Sequence, residues 1–348
     1  MLYDLTSEKR VPILPDWDIN RIGVSANGRL AFSLAHEDVG TIYILDYPFT
    51  NGEPVNITGD NSAQYYGMTW SQDGRYLAYV STQDNEARLS IWNGKNSFQI
   101  FDSATMIDEI TWGPGDRLAF TAFDLGPADE KDSSEVFIWD GDKTVSLSQN
   151  PTGSDRFPEW NKDGLLAFNS NRKGEHDIFV WDGLSTINGM PNVKTFSNIA
   201  PHLTWYFSMP VWSDSGTLTF QGNGPRDEHV QIYEWDGQKA NNISQNPDFH
   251  NGGQRWRGDG YWSFITYFSN EQLIYIRGAK NQPVLIAEGE YSPAWSQSGY
   301  LIFCNQTDTD AGRKWSLSMW DGAKVIEIAQ GHGIEAFWSN GSSVFCSF

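Results

Sequence analysis

Apolar and polar residues alternate with a period of two along most of this chain, and short polar turns containing glycine interrupt the alternation. One combination returns eight times: a large apolar residue, a polar turn with glycine, and then an apolar strand. We call the opening residue of each copy the anchor, and the eight anchors are Val24, Trp70, Trp112, Trp160, Trp212, Trp256, Trp295 and Trp338. The anchors lie 39 to 52 residues apart and no helical period occurs, so the pattern predicts an all-β repeat fold.

A second repeated pattern lies between the anchors, and it consists of an alternating strand followed by Asp-Gly or a similar dipeptide, as at 138–141 and 180–183. Asp-Gly and Asn-Gly tolerate positive φ and favour tight turns between paired strands. Another short apolar strand follows. Each repeat therefore predicts four antiparallel strands, which we call a, b, c and d in chain order, and this arrangement is typical of a β-propeller blade.

The two ends of the chain each carry part of a repeat. The anchor Trp338 is followed by enough residues for only one more strand, whereas residues 1–14 resemble strands c and d. We therefore expect 338–348 and 1–14 to share the last of eight four-stranded blades, in a single closed propeller domain covering 1–348. Such closure would remove an exposed sheet edge. Seven blades are the alternative, because the first and sixth repeats depart from the pattern.

Tryptophan and cysteine usage supports a packed scaffold. Twelve of the 16 tryptophans fall at the two repeated positions, and we expect them to pack between neighbouring blades. Cys304 and Cys346 follow equivalent phenylalanines in adjacent repeats. Packed sheets lie about 10 Å apart, whereas a disulfide needs Cα atoms within about 7 Å, so both cysteines are expected to be free and buried.

The charge balance is strongly acidic, with 44 Asp and Glu against 24 Lys and Arg and a net charge of −20. This charge repels phosphate backbones, which argues against nucleic acid as a partner. No apolar run approaches the roughly 18–20 residues of a membrane helix, and the first residues lack a signal-peptide pattern. We expect a monomer without membrane insertion, located in the cytoplasm, or in the periplasm or another extracytoplasmic space if a leader was removed.

The fourth repeat shows a family resemblance. Residues 154–164 read Ser-Asp-Arg-Phe-Pro-Glu-Trp-Asn-Lys-Asp-Gly, and Ser-Asn-Arg-Lys-Gly at 170–174 and Asp-Ile-Phe at 177–179 follow. This run resembles the TolB-type propeller repeat, also called the WD-like or PD40 repeat, and looser copies cover the whole chain. Proteins similar to it include bacterial TolB, which works through protein contacts, propellers that gate prolyl-oligopeptidase-type hydrolases, and some polysaccharide lyases. The sequence contains no Gly-x-Ser-x-Gly nucleophile motif, so the resemblance supports the fold more than a function.

The predicted blades have two unlike faces. The a–b and c–d turns share one face, whereas the b–c loops and the d–a links share the other, which we call the loop face. All six histidines fall in loop-face segments, and acidic residues outnumber basic ones in the b–c segments. Irregular loops on a rigid scaffold are where binding usually resides, so this face is the predicted binding surface. Its candidate residues are Trp17, Arg172, His176, Asp177, Trp205, Arg226, Asp227, His229, His250, Trp315 and His332.

The longest b–c segment is the most acidic one. Asp124, Asp129 and Asp132 are its candidates for a Ca²⁺ site, but no Asp-x-Asp-x-Asp-Gly spacing organises them. We therefore predict no metal and no other cofactor, and a solvated loop is the alternative interpretation of these carboxylates.

Two hypotheses on function follow. The first is a non-catalytic binding propeller that presents the loop face, and the mouth of the central channel, to a protein or peptide. The alternative is a lyase or hydrolase acting on a polysaccharide, because His, Arg and Asp residues occur together on the same face. A further alternative is the propeller part of a larger exported enzyme or receptor.

Overall fold

The computed structural model describes residues 2–4, 9–11, 19–36, 39–46, 52–59, 63–124, 133–151, 153–184, 186–187, 190–191, 196–200, 208–224, 228–268, 271–278, 282–288, 290–296, 298–309, 312–330, 334–337 and 343–346. Within these residues the structure is all-β, apart from one 3-10 turn, η1 (Pro114–Asp116). The chain divides into two compact units, Met1–Ser103 and Ala104–Phe348.

The first unit contains two four-stranded antiparallel meanders, and the second of them ends one residue beyond the unit. Blade 1 consists of β3 (Ile19–Val24), β4 (Leu30–His36), β5 (Val39–Leu45) and β6 (Val55–Asn56). Blade 2 consists of β7 (Gln64–Trp70), β8 (Leu77–Gln83), β9 (Glu86–Trp92) and β10 (Ser97–Ala104). A separate hairpin is formed by β1 (Leu2–Asp4) and β2 (Lys9–Val11).

The second unit contains five four-stranded meanders. Blade 3 consists of β11 (Met106–Trp112), β12 (Leu118–Asp124), β13 (Ser133–Trp139) and β14 (Thr144–Ser146). Blade 4 consists of β15 (Asp155–Trp160), β16 (Leu166–Ser170), β17 (Asp177–Trp181) and β20 (Ser197–Asn198), with the hairpin β18 (Thr186–Ile187) and β19 (Met190–Pro191) before its last strand. Blade 5 consists of β21 (Val211–Trp212), β22 (Leu218–Gly222), β23 (Gln231–Trp235) and β24 (Ala240–Asn242).

Two more blades and a hairpin complete the second unit. Blade 6 consists of β25 (His250–Trp256), β26 (Trp262–Phe268), β27 (Glu271–Arg277) and β28 (Val284–Glu288). Blade 7 consists of β29 (Glu290–Trp295), β30 (Leu301–Thr309), β31 (Gly312–Trp320) and β32 (Val325–Gln330). The hairpin of β33 (Ile334–Phe337) and β34 (Ser343–Cys346) lies beside β29 and β30.

The strand assignments made from the repeat are confirmed, and the fold is a β-propeller of four-stranded blades. Each a strand ends at its anchor and each c strand ends at the second repeated turn, as β15 does at Trp160 and β17 at Trp181. In the first turn, glycine takes the positive φ that the sequence indicated, for example 70° at Gly74 and 88° at Gly164.

The number of four-stranded blades in the described residues is seven, which is the alternative that the sequence left open. The segments assigned to an eighth blade are present as the two-stranded sheets β1–β2 and β33–β34, and the anchor Trp338 lies outside the described residues. A repeat locates hairpins along the chain, but it does not determine whether two hairpins from distant segments join one sheet.

Apolar clusters lie between successive blades of each unit, as expected from the tryptophan positions. One cluster combines Val136 of blade 3 with Trp160 and Phe168 of blade 4. Another combines Ile274 of blade 6 with Trp295 of blade 7. Burial of each large apolar side chain stabilises the fold by about 1.5–3 kcal/mol, so packing between the faces of neighbouring blades stabilises each unit.

The expectation of two free cysteines is wrong. Cys304 is disulfide-bonded, and the sequence contains one other cysteine, Cys346. The estimate of about 10 Å applies to flat sheets packed face to face, whereas the strand that ends at Cys346 lies directly beside β30.

In the part of the chain that the structure describes, no helix combines the length and the hydropathy needed to span a bilayer.

Candidate functional site

Two of the predicted loop-face residues, His229 and His250, are in contact. His229 lies in the b–c loop of blade 5, and His250 begins the a strand of blade 6. Nδ1 of His229 lies 3.3 Å from Nε2 of His250, and the rings meet edge to face with their centroids 4.7 Å apart. A b–c loop and a d–a link therefore lie on the same side of these two blades, in agreement with the predicted loop face.

The hydrogen bonds determine where the protons of this histidine pair lie. The main-chain N–H of Val230 donates to Nδ1 of His250 at 3.0 Å, so the proton of a neutral His250 ring lies on Nε2. Nε2–H then donates to Nδ1 of His229. Burial, and to a smaller extent His229, lower the pKa of His250. The arrangement fits a neutral His250, and it does not fit a metal ion between the rings because Nε2 of His250 carries a proton.

A buried polar network holds the link beneath the histidine pair. The amide of Gln231 donates from Nε2 to the carbonyl oxygens of Asn246 and Phe249, both at 3.1 Å, and its Oε1 accepts from Ser244 Oγ at 2.7 Å. Asn251 Nδ2 donates to the Phe249 carbonyl oxygen at 2.8 Å. Because the side chains of Gln231 and Asn251 are buried, these bonds fix the path of the chain that leads into His250.

Two exposed aromatic residues lie next to the pair in the strand register of blade 6. Tyr267 is the strand partner of His250, and Phe268 meets Phe249 edge to face with ring centroids 4.8 Å apart. The exposed fractions are 40% for Tyr267 and 42% for Phe268, although both residues are large and apolar. We call His229, Phe249, His250, Tyr267 and Phe268 the loop-face cluster.

Arg172, another candidate, is engaged inside blade 4. Its Nη2 lies 3.3 Å from Oδ1 of Asp155, and the exposed side-chain fractions are 14% for Arg172 and 0% for Asp155. Its guanidinium also lies within 5.1 Å of the ring centroids of Phe168, Phe179 and Phe196. Arg172 is thus part of the blade framework.

His176 and Asp177 also bond within blade 4. Nδ1 of His176 lies 2.6 Å from Oδ1 of Asn169, and Oδ2 of Asp177 accepts a hydrogen bond from Asn198 Nδ2 at 2.7 Å. Burial, followed by the positive charge of Arg156, lowers the pKa of His176. These bonds orient both side chains within the framework.

The structure describes only some of the remaining candidate binding and metal-site residues. Trp315 is 4% exposed and belongs to the interior of blade 7. Asp124 ends β12, and among the described residues no three His, Cys, Asp or Glu side chains are grouped to hold a metal ion. The predicted residues that lie outside the described part of the chain are Trp17, Trp205, Arg226, Asp227, His332, Asp129 and Asp132.

A cavity of about 890 Å³ lies along the a strands of blades 3 to 7, and the sequence reasoning missed it. We call it the a-strand cavity. It is lined by Glu109, Ile110, Thr111, Phe157, Pro158, Glu159, Met209, Pro210, Val211, Asp214, Arg255, Trp256, Arg257, Gly258, Ala294, Trp295 and Ser296. The residue just before the anchor lines it in all five of these blades, so one repeat position supplies a layer of its wall.

Two members of that layer carry opposite charges, Glu159 in blade 4 and Arg255 in blade 6. Burial raises the pKa of Glu159 to about 7, against a smaller lowering by Arg255. Among the described residues, no cationic nitrogen lies within 4.0 Å of the Glu159 carboxylate and no hydrogen bond reaches it. The guanidinium of Arg255 donates from Nη1 to the Gln254 carbonyl oxygen at 2.8 Å.

The cavity wall also contains strained backbone. Three residues before the anchor, φ is 61° at Gly67 and at Gly253, where glycine adopts it without strain. The same position is Glu109 in blade 3 with φ 55° and Phe157 in blade 4 with φ 56°. Non-glycine residues in this region cost of order 1–3 kcal/mol and occur preferentially at functional sites.

A simple comparison of repeats would have identified the charged pair. In repeats one to seven, Glu159 and Arg255 are the only charged residues at the position before the anchor. The full set at that position is Gly23, Thr69, Thr111, Glu159, Val211, Arg255, Ala294 and Phe337.

Comparison with known proteins supports the fold. No protein-family model and no curated protein matches this sequence. Among solved structures, Pyrococcus horikoshii acylaminoacyl peptidase matches with a TM-score of 0.57 and 15% identity over 91% of this chain and 53% of that chain. An acylaminoacyl peptidase in complex with Z-Gly-Gly-Phe-chloromethyl ketone matches with a TM-score of 0.54 and 16% identity over 89% and 52%.

TolB from Acinetobacter baumannii is also matched, with a TM-score of 0.45 and 16% identity over 76% of this chain and 64% of that chain. This chain spans about half the length of the two peptidases. At such low identity, the similarity to the peptidases shows the β-propeller fold alone.

Proposed function

We propose that this chain is a non-catalytic binding propeller that recognises a protein or peptide segment on its loop face. The observation that carries the proposal is the loop-face cluster, in which a histidine pair held by a buried polar network lies in the same strand segments as the exposed Tyr267 and Phe268. Exposed aromatic residues are enriched at the energetic centres of protein interfaces. The rigid support beneath them lowers the entropy lost on binding.

The chemistry of the cluster suits a peptide. Tyr267 and Phe268 offer apolar contact area, while Nδ1 of His229 accepts from His250, so that Nε2 of His229 carries a proton and can donate to a peptide carbonyl. A segment with one apolar anchor residue beside an accepting carbonyl would satisfy both groups. The acidic charge of the chain favours a segment that also carries Lys or Arg.

A random peptide library displayed on phage, selected against the immobilised chain, tests the proposal. We expect enriched peptides that share an apolar residue and that bind Phe268→Ser at least about tenfold more weakly than the wild type. Phe98→Ser is the matched control, because Phe98 is 37% exposed and lies in the other unit. Enrichment of no peptide, or equal binding to both variants and the wild type, would overturn the proposal.

The lyase or hydrolase alternative needs Arg172, His176 and Asp177 to face a substrate together with residues of blade 5. In the described residues these three side chains bond within blade 4 instead. We therefore expect no turnover of a panel of oligosaccharides, and turnover that His229→Ala abolishes would favour the enzyme.

A further inference from the structure

The a-strand cavity contains two partly buried residues of opposite charge that do not form a direct ion pair. Glu159 and Arg255 face the same cavity from blades 4 and 6, and each influences the pKa of the other. A partly buried charge without a close partner is poorly solvated, so each of them favours a ligand group of opposite charge.

The other charged residues of the lining either have close partners of their own or are exposed at the rim. Glu109 accepts hydrogen bonds from Arg156 Nη2 at 2.8 Å and from the Phe157 main-chain nitrogen at 2.6 Å, so its carboxylate is engaged. Arg257 donates from Nε to Asp259 Oδ1 at 2.7 Å. Asp214 is exposed at the rim. Among the described lining residues, the charges that remain for a ligand are therefore Glu159 and Arg255.

The size and the other walls indicate a small organic ligand. A volume of about 890 Å³ lies within the usual range of small-molecule sites, roughly 300–1,000 Å³. Phe157, Met209 and Trp256 supply apolar wall beside the charged pair. A simple cation would leave Arg255 without a partner, and a simple anion would leave Glu159 without one, so a ligand carrying both charges fits best.

We propose that the a-strand cavity binds a free amino acid or a short peptide as a zwitterion, with the ligand ammonium at Glu159 and the ligand carboxylate at Arg255. An ammonium group offers three donors to a carboxylate, and the guanidinium fork matches a ligand carboxylate. An apolar ligand side chain then lies against Phe157, Met209 and Trp256. The cavity and the loop-face cluster share no residue, and Tyr267 of the cluster lies near enough to Arg255 to influence its pKa.

Isothermal titration calorimetry with free leucine, the dipeptide Ala-Leu, N-acetyl-Ala-Leu and Ala-Leu amide tests the assignment. Blocking either end removes one charge, so we expect both blocked dipeptides to bind at least about tenfold more weakly than Ala-Leu. Binding of leucine alone, or of Ala-Leu as well, supports the proposal. The result also shows whether the ligand is a free amino acid only or can be a short peptide.

Charge-removing variants show which residue receives which end. Glu159→Gln should no longer distinguish Ala-Leu from its N-acetyl form, and Arg255→Gln should no longer distinguish it from its amide. Asp163→Asn, an exposed carboxylate of blade 4 outside the cavity lining, is the matched control and should keep both preferences. Phe268→Ser should also bind Ala-Leu as the wild type does, which separates this site from the loop face.

Proton release gives an independent readout. Burial holds the pKa of Glu159 at about 7, and a bound ammonium would favour its charged form. Binding by the wild type at neutral pH should therefore release protons, seen as a binding enthalpy that depends on the buffer, whereas Glu159→Gln should release none. Equal binding of blocked and free dipeptides, or no binding of leucine and Ala-Leu at millimolar concentration, would overturn the proposal.

Discussion

The indole N–H of Trp212 donates to the main-chain carbonyl oxygen of Glu159, 3.0 Å away. The bond joins blade 5 to the preceding blade, and it recurs where Trp295 donates to the Arg255 carbonyl oxygen at 3.2 Å. In both cases the acceptor residue is the one before the anchor, whose side chain lines the a-strand cavity. The tryptophans that pack the blades therefore also fix the backbone of the two charged cavity residues.

Replacement of Trp212 by Phe should cost more stability than the same change at Trp160. Both side chains are buried anchors, but the Trp160 Nε1 is buried without a hydrogen-bond partner in the described structure. Trp160→Phe therefore loses ring volume and removes an unsatisfied donor, whereas Trp212→Phe loses ring volume and an interblade bond. We expect a difference of about 1–3 kcal/mol in the free energy of unfolding, measured by urea denaturation. Equal losses would show that the interblade bond contributes nothing.

The stability of the wild type should fall, relative to Glu159→Gln, as the pH rises towards 8. The pKa of Glu159 is raised from 4.5 to about 7 in the folded chain. The contribution of Glu159 to the free energy of unfolding is therefore fully present below pH 4.5, where the carboxyl is protonated, and it is lost as the pH rises through 7. The difference between the two proteins should change by up to about 3 kcal/mol across this window. Thermal unfolding at several pH values measures it, and parallel pH profiles would contradict the raised pKa.

Much of the scaffold could be predicted because its signals are local. The anchors and the Asp-Gly turns determine where strands end, and β15 and β17 end at the expected tryptophans. Blade number and the cysteine pairing could not be derived in the same way, because both depend on which distant segments lie side by side.

The binding residues were harder to predict for a related reason. Arg172 and His176 lie in a loop-face segment, but whether a loop side chain faces solvent or its own blade depends on partners such as Asp155 and Asn169. The contact between His229 and His250 joins residues of two blades, so the sequence indicated both residues without indicating their pairing.

Arg172→Met should destabilise the fold by about 3–5 kcal/mol, since it leaves the fully buried Asp155 without its cation. The double variant Asp155→Asn with Arg172→Met removes both charges and should recover part of that loss. Chemical denaturation of the two variants and the wild type measures these differences. If Arg172 served ligand binding instead, the single variant would keep the wild-type stability and lose affinity for selected peptides.

The stability of the wild type should fall more in mild acid than that of His250→Gln, because the wild type keeps the histidine pair. Because burial and His229 lower the pKa of His250 below its ordinary 6.5, its contribution is fully present above pH 6.5 and is lost as the pH falls through the lowered pKa. A second proton on His250 must also lie on Nδ1, where it faces the N–H of Val230 and breaks that bond. Glutamine does not titrate, so the melting temperature of His250→Gln should change less between pH 7.5 and 5 than that of the wild type. Peptides selected on the loop face should bind the wild type more weakly at the lower pH. If the melting temperatures of the wild type and the variant changed equally with pH, the pair would remain neutral or contribute nothing to stability.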